Sequence, residues 1–140
     1  MEFKEYQKRA YIAIQPHTDT KDEILNWAVG LCEECGEVMN HIKHHCWGHE
    51  NMNLVEVAKE IGDVLWYASA LCTVLDLDFE TVATLNMRKL EHRFGGVFSD
   101  DKSKARHELE AKFKDTEEYK QLMEKLVRKC DAEIWKCLLQ

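Results

Sequence analysis

Two short stretches, Glu34-Cys35-Gly36-Glu37-Val38 and Glu60-Ile61-Gly62-Asp63-Val64, share the pattern Glu-x-Gly-acid-Val and decide how the chain folds. Each stretch lies in a long segment where apolar residues recur every three or four positions, as they do along one side of an α-helix. Residues three positions apart share a helical face, so each copy pairs its two acidic side chains. If the two helices pack side by side, the four carboxylates meet at one place.

Clustered carboxylates repel one another unless a cation lies between them, and hard divalent cations prefer all-oxygen ligands. The pattern therefore predicts a Mg²⁺ site, in which Mn²⁺ is an acceptable substitute. Its ligands would be Glu34, Glu37, Glu60 and Asp63. A glycine costs about 1 kcal/mol relative to alanine inside a helix, so Gly36 and Gly62 suggest that something approaches the backbone closely. The alternative is two amphipathic helices with solvated acidic faces.

The composition predicts an all-α domain. The chain has 140 residues, one proline and six glycines, and it lacks runs of alternating β-branched residues. The apolar periodicity predicts helices over about 2–14, 22–45, 53–75 and 79–94, which form a four-helix-bundle-like core. A further amphipathic helix is predicted over about 116–139. We expect self-association, as a dimer or a tetramer, to complete the bundle.

The charge pattern divides the chain at about residue 99. Residues 1–99 are expected to form the functional core, whereas the stretch from Ser99 to Asp115 is strongly charged and has few apolar residues. That stretch is either a weak helix or a mobile connector. Residues 100–140 as a whole belong either to the same single domain or to an oligomerisation arm.

The net charge and the cysteines limit which partners and which compartment are expected. A net charge of −7 argues against a nucleic-acid partner. The N-terminus is charged, and no apolar run approaches the ~20 residues of a membrane span, so neither secretion nor a membrane partner is predicted. The six cysteines lie mostly at helical-core spacings, and we expect buried, reduced thiols in a cytoplasmic protein.

The predicted fourth helix carries a polar and basic face formed by Asn86, Lys89 and Arg93. A basic face in the same domain as a carboxylate cluster suggests a ligand with phosphate oxygens that bridges the two. Ordinary surface charge is the alternative.

Two other kinds of metal site are alternatives to the Mg²⁺ site. Residues that would suit zinc are Cys32-x-x-Cys35 and the run His41, His44, His45, Cys46 and His49. Both cysteines of the first group fall on an apolar stripe, and no second Cys-x-x-Cys occurs. A di-iron carboxylate bundle uses Glu-x-x-His, which is absent from the sequence. Both sites are therefore disfavoured.

At Glu33-Glu34-Cys35-Gly36-Glu37 and Glu60-Ile61-Gly62-Asp63 the chain resembles the MazG-like all-α nucleoside triphosphate pyrophosphohydrolases. This superfamily includes all-α dUTPases, dCTP pyrophosphatases and phosphoribosyl-ATP pyrophosphohydrolases. Its signature is Glu-Glu-x-x-Glu, a spacer, then Glu-x-x-Asp, and the spacer here has 22 residues. Similar flanks are Gly30-Leu31, Val64-Leu65-Trp66-Tyr67, Asn86-Met87-Arg88-Lys89-Leu90 and Arg93-Phe94. The resemblance covers about Phe3 to Ser99, which makes residues 1–99 the catalytic core.

The resemblance implies that a nucleoside triphosphate is hydrolysed between its α and β phosphates, giving a monophosphate and pyrophosphate. It also implies that Glu33 orients or deprotonates the attacking water. The implied phosphate contacts are Tyr67, Asn86, Lys89 and Arg93. Candidates for a base pocket are Gln7, His17, Asn26 and Trp27, with packing an equal alternative for Trp27. The alternative function is a non-catalytic helical interaction or regulatory protein that keeps the bundle.

Overall fold

The computed structural model describes residues 1–13, 20–48, 51–95, 97 and 99–127. Every regular element within these residues is an α-helix, which confirms the predicted all-α class. In chain order the helices are α1 (Phe3–Ile12), α2 (Thr20–Gly48), α3 (Leu54–Val74), α4 (Phe79–Phe94), α5 (Asp100–Lys104), α6 (Arg106–Lys114) and α7 (Glu117–Val127). Among the described residues, no helix is both long and apolar enough to cross a membrane.

The helix ends follow local capping chemistry. The Asn53 side chain accepts hydrogen bonds from two backbone N–H groups in the first turn of α3. Asp78 caps α4 by accepting from the backbone N–H and the hydroxyl of Thr81. Gly95 ends α4 with a φ of 58°, a left-handed conformation that glycine adopts without steric cost. Because such signals are local, the bounds of α4 match the predicted range.

One predicted helix differs from the observed one: α2 continues to Gly48, beyond its predicted end at about residue 45. For the charged stretch that follows α4, the structure has the helical alternative, because this stretch forms α5 and α6. The predicted C-terminal helix is observed as α7, and its remaining part, residues 128–139, lies outside the described residues.

The chain forms two compact units. One comprises Glu5–Leu75 and is called the hairpin unit, because α2 and α3 are its main helices. The other comprises Met1–Lys4 and the chain from Asp76 onward, and it is called the C-terminal unit. The division expected at residue 99 stays a prediction.

The hairpin unit is built on the packing of α2 against α3. Its core centres on Trp27 and Ala70, both buried. The Trp27 ring lies 5.2 Å from the Trp66 ring and 5.7 Å from the Tyr67 ring. Aromatic pairs at such distances add to the stabilisation that burial provides. This cluster holds Tyr67 in place, which matters for the site below.

The C-terminal unit packs α4 against α5, α6 and α7. Its most buried large side chain is Phe113, which is 1% exposed. The Phe113 ring lies 5.3 Å from the Tyr119 ring and 4.8 Å from the His92 ring. At the surface, Arg88 Nε lies 2.9 Å from a Glu118 carboxylate oxygen and joins α4 to α7. Residues 100–127 therefore pack on α4 through a real core.

The expectation of buried cysteines is wrong for Cys32, Cys35 and Cys46, which are exposed, whereas Cys72 is buried. All four are free thiols. For Cys32 the reason is that α2 and α3 each leave an apolar stripe uncovered by the described residues. We call these the outer stripes. They comprise Leu25, Val29, Cys32, Gly36 and Met39 on α2, and Leu54, Ala58, Ile61 and Leu65 on α3.

Candidate metal centre

The packing of α2 on α3 brings three predicted ligands together. Glu34, Glu60 and Asp63 each offer one carboxylate oxygen, and these oxygens lie within 4.8 Å of one another. Glu34 and Glu60 are partly buried, and Asp63 is exposed. The fourth predicted ligand, Glu37, is exposed and does not belong to this group. The site therefore combines one acid from the first copy of the pattern with both acids from the second.

The electrostatics of this group show the expected repulsion. The pKa of Glu34 is raised above its ordinary value by burial and then by the negative charges of four carboxylates. In order of effect these belong to Asp63, Glu60, Glu33 and Glu37. Glu37 thus lies near enough to act on Glu34 by charge. A cation held between the carboxylates would reverse this penalty, because it favours their ionised form.

Tyr67 of α3 lies directly against the backbone of α2 at Gly30. A Cβ atom added at Gly30 would lie 2.0 Å from Tyr67 Cε1, which no real structure accommodates without a shift. Burial and the charges of Glu34, Glu33 and Asp63 raise the pKa of the Tyr67 hydroxyl. Its hydroxyl consequently stays protonated at neutral pH and keeps a proton that it can donate in a hydrogen bond.

Two further residues border the carboxylate group and were not predicted as site residues. His41 Nε2 lies 3.7 Å from Glu60 Oε1. The pKa of Tyr6 on α1 is raised by burial and by the charge of Asp63. His41 stands seven positions after Glu34, so helical periodicity could have assigned it. Tyr6 has no local signal, because its position depends on how α1 packs.

The two copies of the pattern also share an apolar function. Their second and fifth residues, Cys35 and Val38 in the first copy and Ile61 and Val64 in the second, line a shallow depression of about 210 Å³. Each copy therefore presents acids on one side and apolar groups on another. This matched arrangement agrees with the pattern that the two stretches share in sequence.

The predicted base-pocket residues lie in different environments. Trp27 is 5% exposed and packs in the aromatic core, and its Nε1 has no acceptor among the described residues. The Gln7 amide donates a hydrogen bond of 3.1 Å to Thr73 Oγ1. Asn26 is exposed, and His17 lies outside the described residues. A base pocket at these residues stays a prediction.

The predicted phosphate contacts on α4 belong to the C-terminal unit. Asn86 and Lys89 line a cavity of about 400 Å³. Arg93 is mostly buried, its Nη2 lies 3.4 Å from a Glu110 carboxylate oxygen, and its Nε has no partner among the described residues. Their binding of phosphate stays a prediction.

The described residues give no support to a zinc site. In that part of the chain, the group that could hold a metal ion is the carboxylate trio of Glu34, Glu60 and Asp63, without cysteine or histidine. Cys32 and Cys35 are free thiols. An all-oxygen group favours Mg²⁺, Mn²⁺ or Ca²⁺ over zinc.

Comparison with known proteins defines the class. Residues 23–98 match the family model of the MazG nucleotide pyrophosphohydrolase domain, and they make up more than half of the chain. The match includes the whole carboxylate trio. The chain therefore belongs to the MazG nucleotide pyrophosphohydrolase family.

A curated relative is the Gene 37 protein of Mycobacterium phage L5. It is 33% identical over 69 residues, which cover 46% of this chain and 60% of the phage protein. The chain thus matches less than two thirds of that protein's length. No solved structure matches the chain.

Proposed function

We propose that this protein is a Mg²⁺-dependent nucleoside triphosphate pyrophosphohydrolase. It would cleave the anhydride between the α and β phosphates and release a monophosphate and pyrophosphate. The observation that carries the proposal is the convergence of Glu34, Glu60 and Asp63 within 4.8 Å, inside the stretch that matches the MazG family.

The residues of the trio fit a hard divalent cation. They offer oxygen donors, and the neighbouring carboxylates add to the effect of burial in raising the pKa of Glu34. Mg²⁺ typically binds through a few carboxylates together with substrate phosphates rather than in a closed protein cage. Glu34, Glu60 and Asp63 would hold the ion, and Glu37, which lies outside this group, would add its negative charge nearby. When bound, Mg²⁺ supplies positive charge to the phosphate oxygens and makes water more acidic.

The remaining side chains would position and activate the reactants. Glu33 is exposed on α2 and affects Glu34 and Tyr67 through its charge. We propose that Glu33 accepts a proton from the attacking water. The water oxygen bonds to phosphorus as the anhydride bond breaks. The Tyr67 hydroxyl would donate to a phosphate oxygen. Phosphoryl transfer needs mainly positioning and electrostatic stabilisation, which suits this set.

The base would contact Gln7, His17, Asn26 or Trp27. The buried Trp27 ring supports a packing role, so its contribution would be to shape the site rather than to stack on the base. Its indole N–H lacks an acceptor among the described residues and is available to a ligand or a water.

The decisive experiment is product analysis. Purified protein is incubated with each ribo- and deoxynucleoside triphosphate, with Mg²⁺ or with a chelator, and the products are separated by ion-exchange chromatography. We expect monophosphate and pyrophosphate only with Mg²⁺. Diphosphate and inorganic phosphate would show cleavage of the other bond and refute the proposed reaction. Mn²⁺ in place of Mg²⁺ tests the predicted substitution.

Self-association is part of the proposal, and the outer stripes support it. Their residues follow spacings of four and three, which is the spacing of helices that pack in bundles. Leu25 is 61% exposed, Met39 60% and Ile61 54%. A Cβ atom at Gly36 would meet nothing within 4 Å, so a helix of a second copy could approach closely there. We expect a dimer or a tetramer by sedimentation, and Met39→Lys should weaken it.

The exposed apolar stripes also favour a second candidate, a helical interaction protein that does not turn over nucleotides. A Mg²⁺ titration of the melting temperature separates the two candidates. A ligand that binds only the folded state stabilises it by mass action. A pure scaffold would show no saturable Mg²⁺ or nucleotide dependence, whereas the enzyme should show both.

A further inference from the structure

The C-terminal unit contains a cavity of about 400 Å³ that α4, α6 and α7 line together. Its volume falls in the range of pockets that bind small molecules. On α4 the lining residues extend from Val82 to Lys89 over two turns and share one helical face. Every described residue that lines the cavity belongs to the C-terminal unit. The cavity can therefore be considered as a site of that unit alone.

Two lysines line the cavity without an ion-pair partner. Neither Lys89 nor Lys114 has a carboxylate within salt-bridge distance among the residues that the structure describes. Glu110 also lines the cavity, but a carboxylate oxygen of Glu110 lies 3.4 Å from Arg93 Nη2. This contact offsets the negative charge of Glu110. Since an ammonium group has three donors and no acceptor, the cavity offers two cations to an anionic ligand.

The environment of Lys89 favours a ligand with several oxygens. Lys89 is partly buried, and burial of an ammonium group costs free energy unless an oxygen replaces the lost water. Asn86 lies one turn before Lys89 and supplies amide donors and an acceptor. A phosphate monoester carries close to two negative charges at neutral pH and three acceptor oxygens. One such group can satisfy both lysines.

The remaining lining groups suit the flat ring of a ligand. The Tyr119 ring lies 5.3 Å from the Phe113 ring, which is 1% exposed, so a buried contact fixes its position. Leu85 and Val82 add apolar surface one and two turns before Lys89. The α4 side of the cavity is therefore apolar at one end and basic at the other. This arrangement matches an amphipathic anion better than a free phosphate ion.

We propose that this cavity binds a phosphate monoester with a flat ring. Its phosphate contacts Lys89 and Lys114, and its ring packs against Tyr119 and Leu85. Binding needs neither a metal ion nor the carboxylate trio, so the proposal does not rest on the proposed function. Lys114 and Tyr119 lie beyond residue 98, where the family match ends. A mononucleotide and a non-nucleotide aryl phosphate share this chemistry, and the test distinguishes them.

Calorimetry on the full chain, with chelator present, tests the ligand class. The probes are phenyl phosphate, the common nucleoside monophosphates, inorganic phosphate and benzyl alcohol. We expect at least one ester to bind more tightly than either inorganic phosphate or benzyl alcohol. Tighter binding of a nucleoside monophosphate than of phenyl phosphate identifies a mononucleotide, and the reverse order identifies an aryl phosphate. Absence of saturable binding, or inorganic phosphate binding as tightly as every ester, would overturn the proposal.

Lys114→Ala tests the phosphate contact, and Lys112→Ala is its matched control, because both remove an exposed lysine from α6. Lys112 Nζ lies 2.7 Å from a Glu108 carboxylate oxygen, and Lys112 does not line the cavity. A hydrogen bond to a charged group supports roughly a 10-fold change in affinity, so Lys114→Ala should raise the Kd of the best ester about that much. Lys112→Ala should bind as the wild type does. Equal Kd values for the two variants would overturn the proposal.

A pair of variants at Tyr119 tests the ring contact. Tyr119→Leu removes the ring and should weaken binding of the best ester about 3-fold or more, while inorganic phosphate binds as before. Tyr119→Phe keeps the ring and should bind the ester as the wild type does. Thermal melts establish that both variants are folded. Wild-type affinity for the ester in folded Tyr119→Leu would overturn the assignment of the ring.

Asp63→Asn separates this site from the metal centre. Ester binding in the presence of chelator should be unchanged in this variant, because Asp63 belongs to the hairpin unit. Loss of ester binding in folded Asp63→Asn would overturn the proposal. Lys114-dependent ester binding by a wild-type protein that hydrolyses no nucleotide would refute the proposed reaction and support this site.

Discussion

The hairpin unit and the C-terminal unit concentrate charges of opposite sign. In the hairpin unit three carboxylates converge within 4.8 Å, and their repulsion helps to raise the pKa of Glu34. In the C-terminal unit two ammonium groups share a cavity, while the nearby Arg88 and Arg93 are paired with glutamates. Each unit thus holds a group of like charges that its ion pairs do not neutralise.

The two units also differ in how they are stabilised. The hairpin unit packs an aromatic cluster between two long helices and leaves both outer stripes exposed. The C-terminal unit uses shorter helices around Phe113. The hairpin unit is therefore stabilised by aromatic packing between its long helices, whereas the C-terminal unit depends heavily on one large side chain.

The largest expected effect is on catalysis. Asp63→Asn keeps the size of the side chain and removes one charge from the trio, so kcat/KM should fall roughly 1,000-fold or more. The Mg²⁺-induced rise in melting temperature should disappear as well. Glu56→Gln on the same helix is the control, because Glu56 pairs with Lys59 and not with the trio. Full turnover by purified Asp63→Asn would rule out the proposed metal centre.

The next largest effect is on stability. Phe113→Ala removes the most buried large side chain of the C-terminal unit and should cost about 3–5 kcal/mol of unfolding free energy. Phe3→Ala, at a side chain that is 42% exposed, should cost less. Denaturant unfolding measures both changes. Hydrogen exchange should speed up first in α4, α6 and α7, and uniform loss of protection in α2 and α3 would contradict the separate roles of the two units.

A pair of glycine substitutions tests the packing of the hairpin unit. Gly30→Ala places a methyl group in the space of the Tyr67 ring and should cost about 1–3 kcal/mol, as overpacking does. Gly36→Ala meets nothing within 4 Å, so it should stabilise the isolated chain by up to about 1 kcal/mol through helix propensity. Thermal and denaturant melts at low protein concentration compare the two. Equal effects would show that Tyr67 does not lie against Gly30.

The smallest effect concerns pH. The pKa of Glu34 is raised in the folded protein, so folding favours the protonated carboxyl group. The stability that Glu34 contributes is therefore present at pH values below its pKa in the unfolded chain. That contribution is lost as the pH rises through the folded pKa. The metal-free protein should therefore melt at a lower temperature as the pH rises through that window, and Mg²⁺ should reverse the trend. Glu34→Gln should flatten the dependence of melting temperature on pH, both without and with Mg²⁺. A pH trend that persists in this variant would be due to other titrating groups.

Much of the fold follows from local signals in the sequence. Apolar periodicity located the long helices α2 and α3, and capping residues such as Asn53, Asp78 and Gly95 set their ends or those of α4. These features depend on neighbours a few positions apart, so the linear sequence contains them. The doubled pattern likewise predicts that Glu34, Glu60 and Asp63 lie together, as they do in the structure.

Other features depend on contacts between distant segments. Tyr6 borders Asp63 only because of how α1 packs, and the exposure of Cys32 and Cys35 reflects which sides of α2 and α3 are covered. Periodicity identifies an apolar stripe, but it does not say whether this chain buries that stripe.

The sequence by itself determined the helical class, the capped helix ends and the acidic pairs, because each results from residues within one or two helical turns. Only the tertiary structure decided that Glu37 stands apart from the trio and that Tyr67 lies on Gly30. It alone also placed Lys114 and Tyr119 around one cavity with Lys89. The physical reason is that helix packing fixes relative rotation and register, and these are set by the summed contacts of whole helices.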